Sequence, residues 1–317
     1  MTTAEQTQTR AHSTLQKTVL DQFRQITRAY ALFHITFFLI GFVELFLFLF
    51  FFSFFAKSSM LAFSLAAIFL TGFSYFVLLF YFQAKKPEQF HLLLQNYMQG
   101  SKAAHEDILQ SLSQLVSLLQ GQEHRYYPLP ESFKTLAPLM EKFSIWTHWK
   151  DVHQMKELLL SSAIRESREL VKALPTDVNA HRALGIAYIA LSHIYSDPRR
   201  DTPDVLWVSP EYQSKEMEEK FQTAAQRGVA ELKIVEEYAP NDTWVHAQLA
   251  VLYRDLKLPV LEIQEYETLA KMTNNDKEIL FRLGLLYFEH GLNTKGLRIY
   301  EILKKSAHPQ ADALISF

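Results

Sequence analysis

The chain has 317 residues, of which 49% are hydrophobic and 21% are charged, and its formal net charge at pH 7 is −2. This near-neutral balance argues against a nucleic acid partner, which a strongly basic surface would attract. The absence of cysteine excludes disulfides, thiolate metal sites and cysteine nucleophiles, and the few glycines form no phosphate-binding loop.

Two long apolar runs, residues 30–55 and 60–82, dominate the first third of the chain. Each is long enough to cross the roughly 30 Å hydrocarbon layer as an α-helix, which satisfies its own backbone hydrogen bonds in lipid. Only residues 56–59 separate the runs, so we expect a transmembrane helical hairpin over residues 30–83. A cleaved signal peptide is disfavoured, because the first run exceeds the roughly 7–15 residue apolar core of such peptides.

The basic residues around the hairpin predict its orientation. Arg24 and Arg28 precede the first run, Lys85 and Lys86 follow the second, and the tight loop holds only Lys57. Short flanks rich in Lys and Arg stay on the cytoplasmic side. The prediction is therefore an integral, two-pass membrane protein with both termini in the cytoplasm.

One acidic residue, Glu44, lies within the first run, where an ionisable side chain is costly. Folding the hairpin about its loop places Glu44 opposite Thr71, with Ser74 one turn away. A carboxyl group hydrogen-bonded to the neighbouring helix is the structural interpretation. The functional alternative is an ion or proton pathway in an oligomer.

The regions flanking the hairpin are expected to be mainly helical. Residues 1–29 read as a polar tail and an amphipathic helix, which lies either on the membrane surface or against the soluble part. Residues 84–175 form a predicted helical juxtamembrane region. Within it, Pro87 is expected to end the second span, and a break near residues 146–149 would divide 130–174 into two helices.

Residues 184–188, 249–253 and 283–287 each begin with Leu followed by a small residue and end with Tyr. The last two segments are 34 residues apart. They resemble the tetratricopeptide repeat (TPR), a helix-turn-helix unit. The resemblance implies an α-solenoid over residues 176–317, with an insertion at about 196–214 that contains the apolar segment 205–208. Glu262 departs from the pattern, because Gly228 and Gly296 stand at its position in the other copies.

The same resemblance implies a concave groove formed by the first helix of each repeat. A protein or peptide partner would bind there through an apolar helix or extended segment, unless the insertion or the preceding helices fill the groove. An uncapped C-terminal end leaves a homo-oligomer contact open. The implied groove residues are Arg182, Ile186, Ile189, Val251, Arg254, Phe281, Leu285 and Phe288.

No catalytic motif is visible, and we expect neither an enzyme nor a cofactor. His148 and His153 are five positions apart, which does not place two metal ligands on one helical face, and no HExxH motif occurs. No nucleophile elbow or kinase signature is present. A metal site is not expected either.

The sequence thus predicts an all-α protein with an N-terminal transmembrane hairpin and a TPR-like domain. Its predicted role is that of a membrane-anchored adaptor or scaffold for protein–protein interaction. In layout and Phe-rich composition the chain is also similar to chlamydial inclusion membrane proteins. That resemblance implies an alternative role as a secreted effector inserted in a host vacuole membrane.

Overall fold

The computed structural model describes residues 3–56, 60–100, 105–124, 126–127, 131–200 and 208–315. This part of the chain is all-α, with short 3-10 turns between some of the helices. Residues 57–59 of the hairpin loop and 205–207 of the insertion lie outside the described ranges. The eleven described α-helices are α1 (Thr3–Phe50), α2 (Phe52–Phe55), α3 (Met60–Gly100), α4 (His105–Leu119), α5 (Ala137–Ala173), α6 (Val178–Tyr195), α7 (Lys215–Tyr238), α8 (Thr243–Asp255), α9 (Pro259–Met272), α10 (Lys277–Glu289) and α11 (Asn293–Lys305).

Helices α1 and α3 pack on one another and carry the two apolar runs. By length and composition, Lys17–Phe50 and Met60–Gln99 could each cross a membrane. At most 6% of the residues in the most apolar stretch of either helix are buried. Phe63 and Phe69, for example, are 77% and 75% exposed. The hairpin thus presents its apolar side chains outward.

The beginning of α1 packs against the rest of the first unit. Val19, Phe23 and Thr27 are buried, and the ring centroids of Phe23 and Phe90 are 5.2 Å apart. Of the two alternatives for the amphipathic segment, the structure therefore shows the packed helix. The helix begins at Thr3, so the polar tail expected there is already helical.

Two predicted helix breaks are wrong. Helix α3 continues through Pro87 to Gly100, and α5 is unbroken across residues 146–149. Proline removes one backbone hydrogen bond, but buried side chains on both sides of it hold α3 together: Lys86 precedes Pro87 and Phe90 follows it. In α5, His148 and Trp149 are buried where the break was predicted. Tertiary packing outweighs the local signal at both places.

A buried ion pair joins α3 to α5 beside the hairpin. Lys86 Nζ lies 2.8 Å from Asp151 Oδ2, and both side chains are buried. The ammonium group also lies 4.2 Å from the centroid of the Tyr30 ring on α1. His148 Nδ1 lies 3.4 Å from the same carboxylate. Three helices of the first unit therefore meet at one charged cluster.

We expect Asp151→Leu to destabilise the protein by about 3–5 kcal/mol, because it leaves the Lys86 ammonium buried without a counter-charge. The double variant Lys86→Met, Asp151→Leu removes both charges and should recover much of the loss. Thermal unfolding of the purified full-length protein measures the difference. Equal losses in the single and double variants would contradict the importance of the pairing.

The chain divides into two compact units, and the division falls within α5, between Ser162 and Ala163. The first comprises Met1–Ser162 with Asp201–Ser209, and the second comprises Ala163–Arg200 with Pro210–Phe317.

In the second unit the helices pack in consecutive pairs, α6 on α7, α8 on α9 and α10 on α11. Helix α8 begins at Thr243 and α10 at Lys277, 34 residues later. Helices α9 and α11 begin at Pro259 and Asn293, with the same shift. The 34-residue period predicted from the sequence is therefore confirmed as a period of helix pairs.

The first helix of each pair begins with the same capping residue. Asp177, Asp242 and Asp276 are the N-caps of α6, α8 and α10, and each side chain accepts a backbone N–H from the first turn. An aspartate at the N-cap accepts a hydrogen bond from a backbone N–H that would otherwise be unpaired. Its negative charge also interacts favourably with the positive end of the helix dipole. These three aspartates are a repeat signature additional to the Leu, small-residue and Tyr pattern.

Candidate functional site

The predicted groove residues lie on α6, α8 and α10, the first helices of the three pairs. Together with Ala247, which stands at the equivalent position of α8, they occupy three rows that are defined by the repeat spacing. Row one is Arg182, Ala247 and Phe281; row two is Ile186, Val251 and Leu285; row three is Ile189, Arg254 and Phe288.

Row three faces the second helix of its own pair. A methyl group added at Gly296 of α11 would lie 2.8 Å from the Phe288 ring, and one added at Gly228 of α7 would lie 3.5 Å from Ile189 Cγ1. Ile189 and Phe288 therefore lie over a glycine on the facing helix. Their apolar surface is used within the repeat.

In the middle repeat, charged residues occupy both positions, Arg254 in row three and Glu262 on α9. Glu262 stands at the glycine position of α9 and is buried, and it accepts a hydrogen bond from Arg282 Nη2 at 3.2 Å. Burial raises the pKa of Glu262, while the positive charges of Arg282 and Arg254 act to lower it. Arg254 is the row-three residue of this repeat. A basic residue therefore replaces the apolar row-three residue in the same repeat in which an acidic residue replaces glycine.

Row one is also engaged within the chain. Arg182 forms an ion pair with Asp242, the N-cap of α8, and its guanidinium lies 5.0 Å from the centroid of the Trp244 ring. Phe281 stacks on His308, with ring centroids 5.6 Å apart. Arg182 thus links the first repeat to the second, and Phe281 is partly covered by the C-terminal segment.

Row two contains the most exposed apolar side chain among the predicted groove residues. Ile186 is 43% exposed, and Val251 and Leu285 are half-buried. Leu285 also packs against the core cluster of the last repeat. Among the predicted groove residues, Ile186, Val251 and Leu285 are therefore the apolar side chains best placed to contact a partner.

Two histidines carry an equivalent hydrogen-bond pattern that the sequence reasoning missed. His181 Nδ1 lies 2.7 Å from Glu231 Oε2, and its Nε2 lies 3.1 Å from the Pro175 carbonyl oxygen. His246 repeats this arrangement with Glu265 at 2.6 Å and the Pro240 carbonyl at 3.0 Å.

A carboxylate and a carbonyl can only accept hydrogen bonds, so both ring nitrogens of each histidine must donate. Burial opposes this charge, but the hydrogen bonds to the carboxylate and the carbonyl outweigh it and raise the pKa of both His181 and His246. The imidazolium form of each histidine is therefore favoured, and it bridges the two helices of its repeat and the preceding turn.

Ligand atoms of Glu236, His246 and Glu265 lie within 4.8 Å of one another, a spacing that would suit a metal ion. Lys233 Nζ, however, lies 2.7 Å from Glu236 and 3.3 Å from Glu265. The lysine ammonium and the imidazolium already supply positive charge to these carboxylates. We therefore interpret the cluster as a salt-bridge network rather than a metal centre.

The last repeat has the apolar equivalent of this network. Leu280 and Ile299 occupy the positions of His246 and Glu265, and both are buried in the C-terminal core cluster. Histidine and glutamate at the two positions are recognisable in the sequence only once the repeats are aligned. Between the middle and the last repeat both residues change together, from histidine and glutamate to leucine and isoleucine.

The pKa of His246 is raised on folding, so its stabilisation is fully present below the unfolded value of about 6.5 and is lost as pH rises through the folded pKa. We expect the urea midpoint of the repeats to be lower at pH 8.5 than at pH 6. Replacing the pair by that of the last repeat, His246→Leu with Glu265→Ile, should reduce this difference. Fluorescence of Trp244, with the other tryptophans replaced by Phe, measures it; an unchanged difference would contradict the imidazolium.

The hairpin holds its own polar contact. Thr71 Oγ1 donates to Glu44 Oε1 at 2.8 Å, which is the pairing expected from folding the hairpin about its loop. Glu44 Oε2 is buried and has no hydrogen-bond partner among the described residues. Ser74 lies one turn further along α3 and is half-buried. A cavity of about 230 Å³ adjoins Glu44, lined by Phe37, Phe38, Gly41, Ile68, Thr71, Gly72 and Tyr75.

No family model matches this chain, and no match was found among curated proteins. A solved structure, that of a thermophilic TPR protein from Thermus thermophilus, is distantly similar, with a TM-score of 0.33 and 15% sequence identity. The similarity covers 68% of this chain and 100% of that chain. The helix pairs and their contacts, rather than this similarity, support the repeat interpretation.

Proposed function

We propose that the chain is a membrane-anchored adaptor that acts by binding rather than by catalysis. Its hairpin is inserted in a bilayer, and its helical repeats hold a protein or peptide partner on the cytoplasmic side. The observation that carries the proposal is the outward-facing apolar surface of α1 and α3. A buried helix of a soluble protein is equally apolar but hides its side chains, whereas at most 6% of the most apolar stretch of these helices is buried.

The contacts beside the hairpin support the two-pass topology. Phe23, which precedes the first apolar run, packs on Phe90, which follows the second. Lys86 and Asp151 add a buried ion pair in the same unit. Two flanks that fold against each other belong on one side of a membrane. The basic residues of both flanks support the cytoplasm as that side.

The proposed binding surface is row two, Ile186, Val251 and Leu285. These side chains recur at repeat spacing on the first helices, and rows one and three are occupied by contacts within the chain. An apolar row without hydrogen-bonding groups suits the apolar face of a partner helix. A membrane anchor would raise the effective concentration of such a partner near the bilayer.

To test the anchor, we would place a tag at each end of the chain and treat intact cells, opened cells and detergent-solubilised membranes with protease. Both tags should be protected in intact cells and cleaved together after opening, and the protein should stay in the membrane pellet at alkaline pH. Cleavage of one tag in intact cells while the other is protected, or release of the protein from the membrane without detergent, would contradict the proposed topology.

To test the binding surface, we would introduce a photo-crosslinking residue at Ile186 and, as a control, at Leu297 of α11. Both leucine-sized side chains are exposed, at 43% and 48%, but Leu297 lies on a second helix. The crosslinker at Ile186 should give a discrete crosslinked product in membranes, and the crosslinker at Leu297 should not. The substitution Ile186→Asp should also weaken binding of the identified partner more than Leu297→Asp does. Equal crosslinking or equal effects would contradict a specific role for row two.

A further inference from the structure

The first half of α5 carries an apolar stripe on its exposed face. Leu139 is 63% exposed and Trp146 is 65% exposed, with Phe143 between them half-buried and Leu136 exposed just before the helix. The intervals of three, four and three residues place these side chains on one face. The opposite face of the helix is buried in the first unit, as Ser144 and His148 show.

This stripe continues the apolar surface of the hairpin. The rings of Phe143 and Phe38 lie 5.7 Å apart, and Phe38 belongs to the exposed apolar part of α1. Further along α5, the ring of His148 lies 6.3 Å from that of His34. Phe143 of α5 thus lies near Phe38 of α1, and His148, which is later in α5, lies near His34, which is earlier in α1. The two helices therefore run in opposite directions, and Leu139 precedes Phe143 on the side toward the middle of the apolar run.

We propose that this apolar stripe, which runs from Leu136 along α5 to Trp146, lies in the membrane interface as a third membrane-contacting element. The inference rests on the proposed function, because it takes the hairpin surface as lipid-facing. The occupant is the bilayer rather than a protein, since the stripe adjoins the lipid-facing surface without interruption.

The polar residues of the stripe fit this placement. The exposed Lys142 flanks it, and the exposed Lys150 follows Trp146 by one turn on the same face. Tryptophan is enriched at membrane–water interfaces, and lysine side chains extend from apolar surfaces toward the headgroups. The first run is longer than the roughly 20 residues that span a bilayer, so part of α1 also extends into this interface.

The test uses the absence of cysteine in the chain. Nitroxide labels on single cysteines at Leu139, Trp146 and Lys150 would be measured in the full-length protein reconstituted in phosphatidylcholine and phosphatidylglycerol vesicles. Oxygen partitions into lipid, whereas a water-soluble nickel chelate does not. The ratio of their effects on the relaxation of the nitroxide therefore reports the depth of the label in the bilayer. A label at Phe63 on the hairpin and one at Leu297 in the repeats provide lipid and water references.

The expected ratio of oxygen to nickel accessibility rises in the order Lys150, Trp146, Leu139, Phe63. A lipid-like Phe63 together with a water-like Leu139 would overturn the α5 inference and leave the anchor standing. A water-like Phe63 would overturn both. Leu139 and Trp146 labels that neither reagent reaches would show a protein contact, including one with a second copy, and would also overturn the inference. Elution of each variant as the native species in gel filtration confirms that the label has not unfolded it.

Discussion

The dominant constraint on this molecule is the cost of exposing phenylalanine-rich helices to water. Burial of apolar surface stabilises a protein by roughly 25 cal/mol for each Å² removed from water. The side chains of α1 and α3 are too far out on the hairpin for the rest of the described chain to cover them, as the exposure of Phe63 and Phe69 shows. A lipid environment satisfies this constraint. The proposed membrane anchor therefore consists of the hairpin together with the flanks and helices that pack beside it.

The parts of the fold that follow from period and apolar content were predictable from the sequence. The two apolar helices, their pairing at Glu44 and Thr71, and the 34-residue spacing of α8 to α11 all depend on local patterns. The predicted ends at Pro87 and near Trp149 were wrong because buried contacts distant in sequence hold those helices together. Lys86 and Asp151 are 65 positions apart, and no local pattern pairs them.

The candidate site was less predictable, because the repeat pattern indicates which positions line the groove but not which side chains pack against them. Row three looked like a groove in the sequence, yet Ile189 and Phe288 lie over Gly228 and Gly296. In the middle repeat the equivalent positions hold Arg254 and Glu262, two residues of opposite charge. The imidazolium bridges of His181 and His246 were missed for a related reason: their partners are a distant carboxylate and a backbone oxygen. Comparing the three repeats position by position is the signal that could have found them.

The unbroken course of α3 from the apolar run through Pro87 to Gly100 has a mechanical consequence. Because α3 is helical from Met60 to Gly100, a change in the tilt of its apolar part would also move the part of the same helix that follows Pro87. The ion pair between Lys86 and Asp151 links this part of α3 to α5. In the proposed membrane-inserted state, a mismatch between the length of the apolar helices and the thickness of the bilayer, which favours helix tilting, would therefore act on the folded part of the first unit.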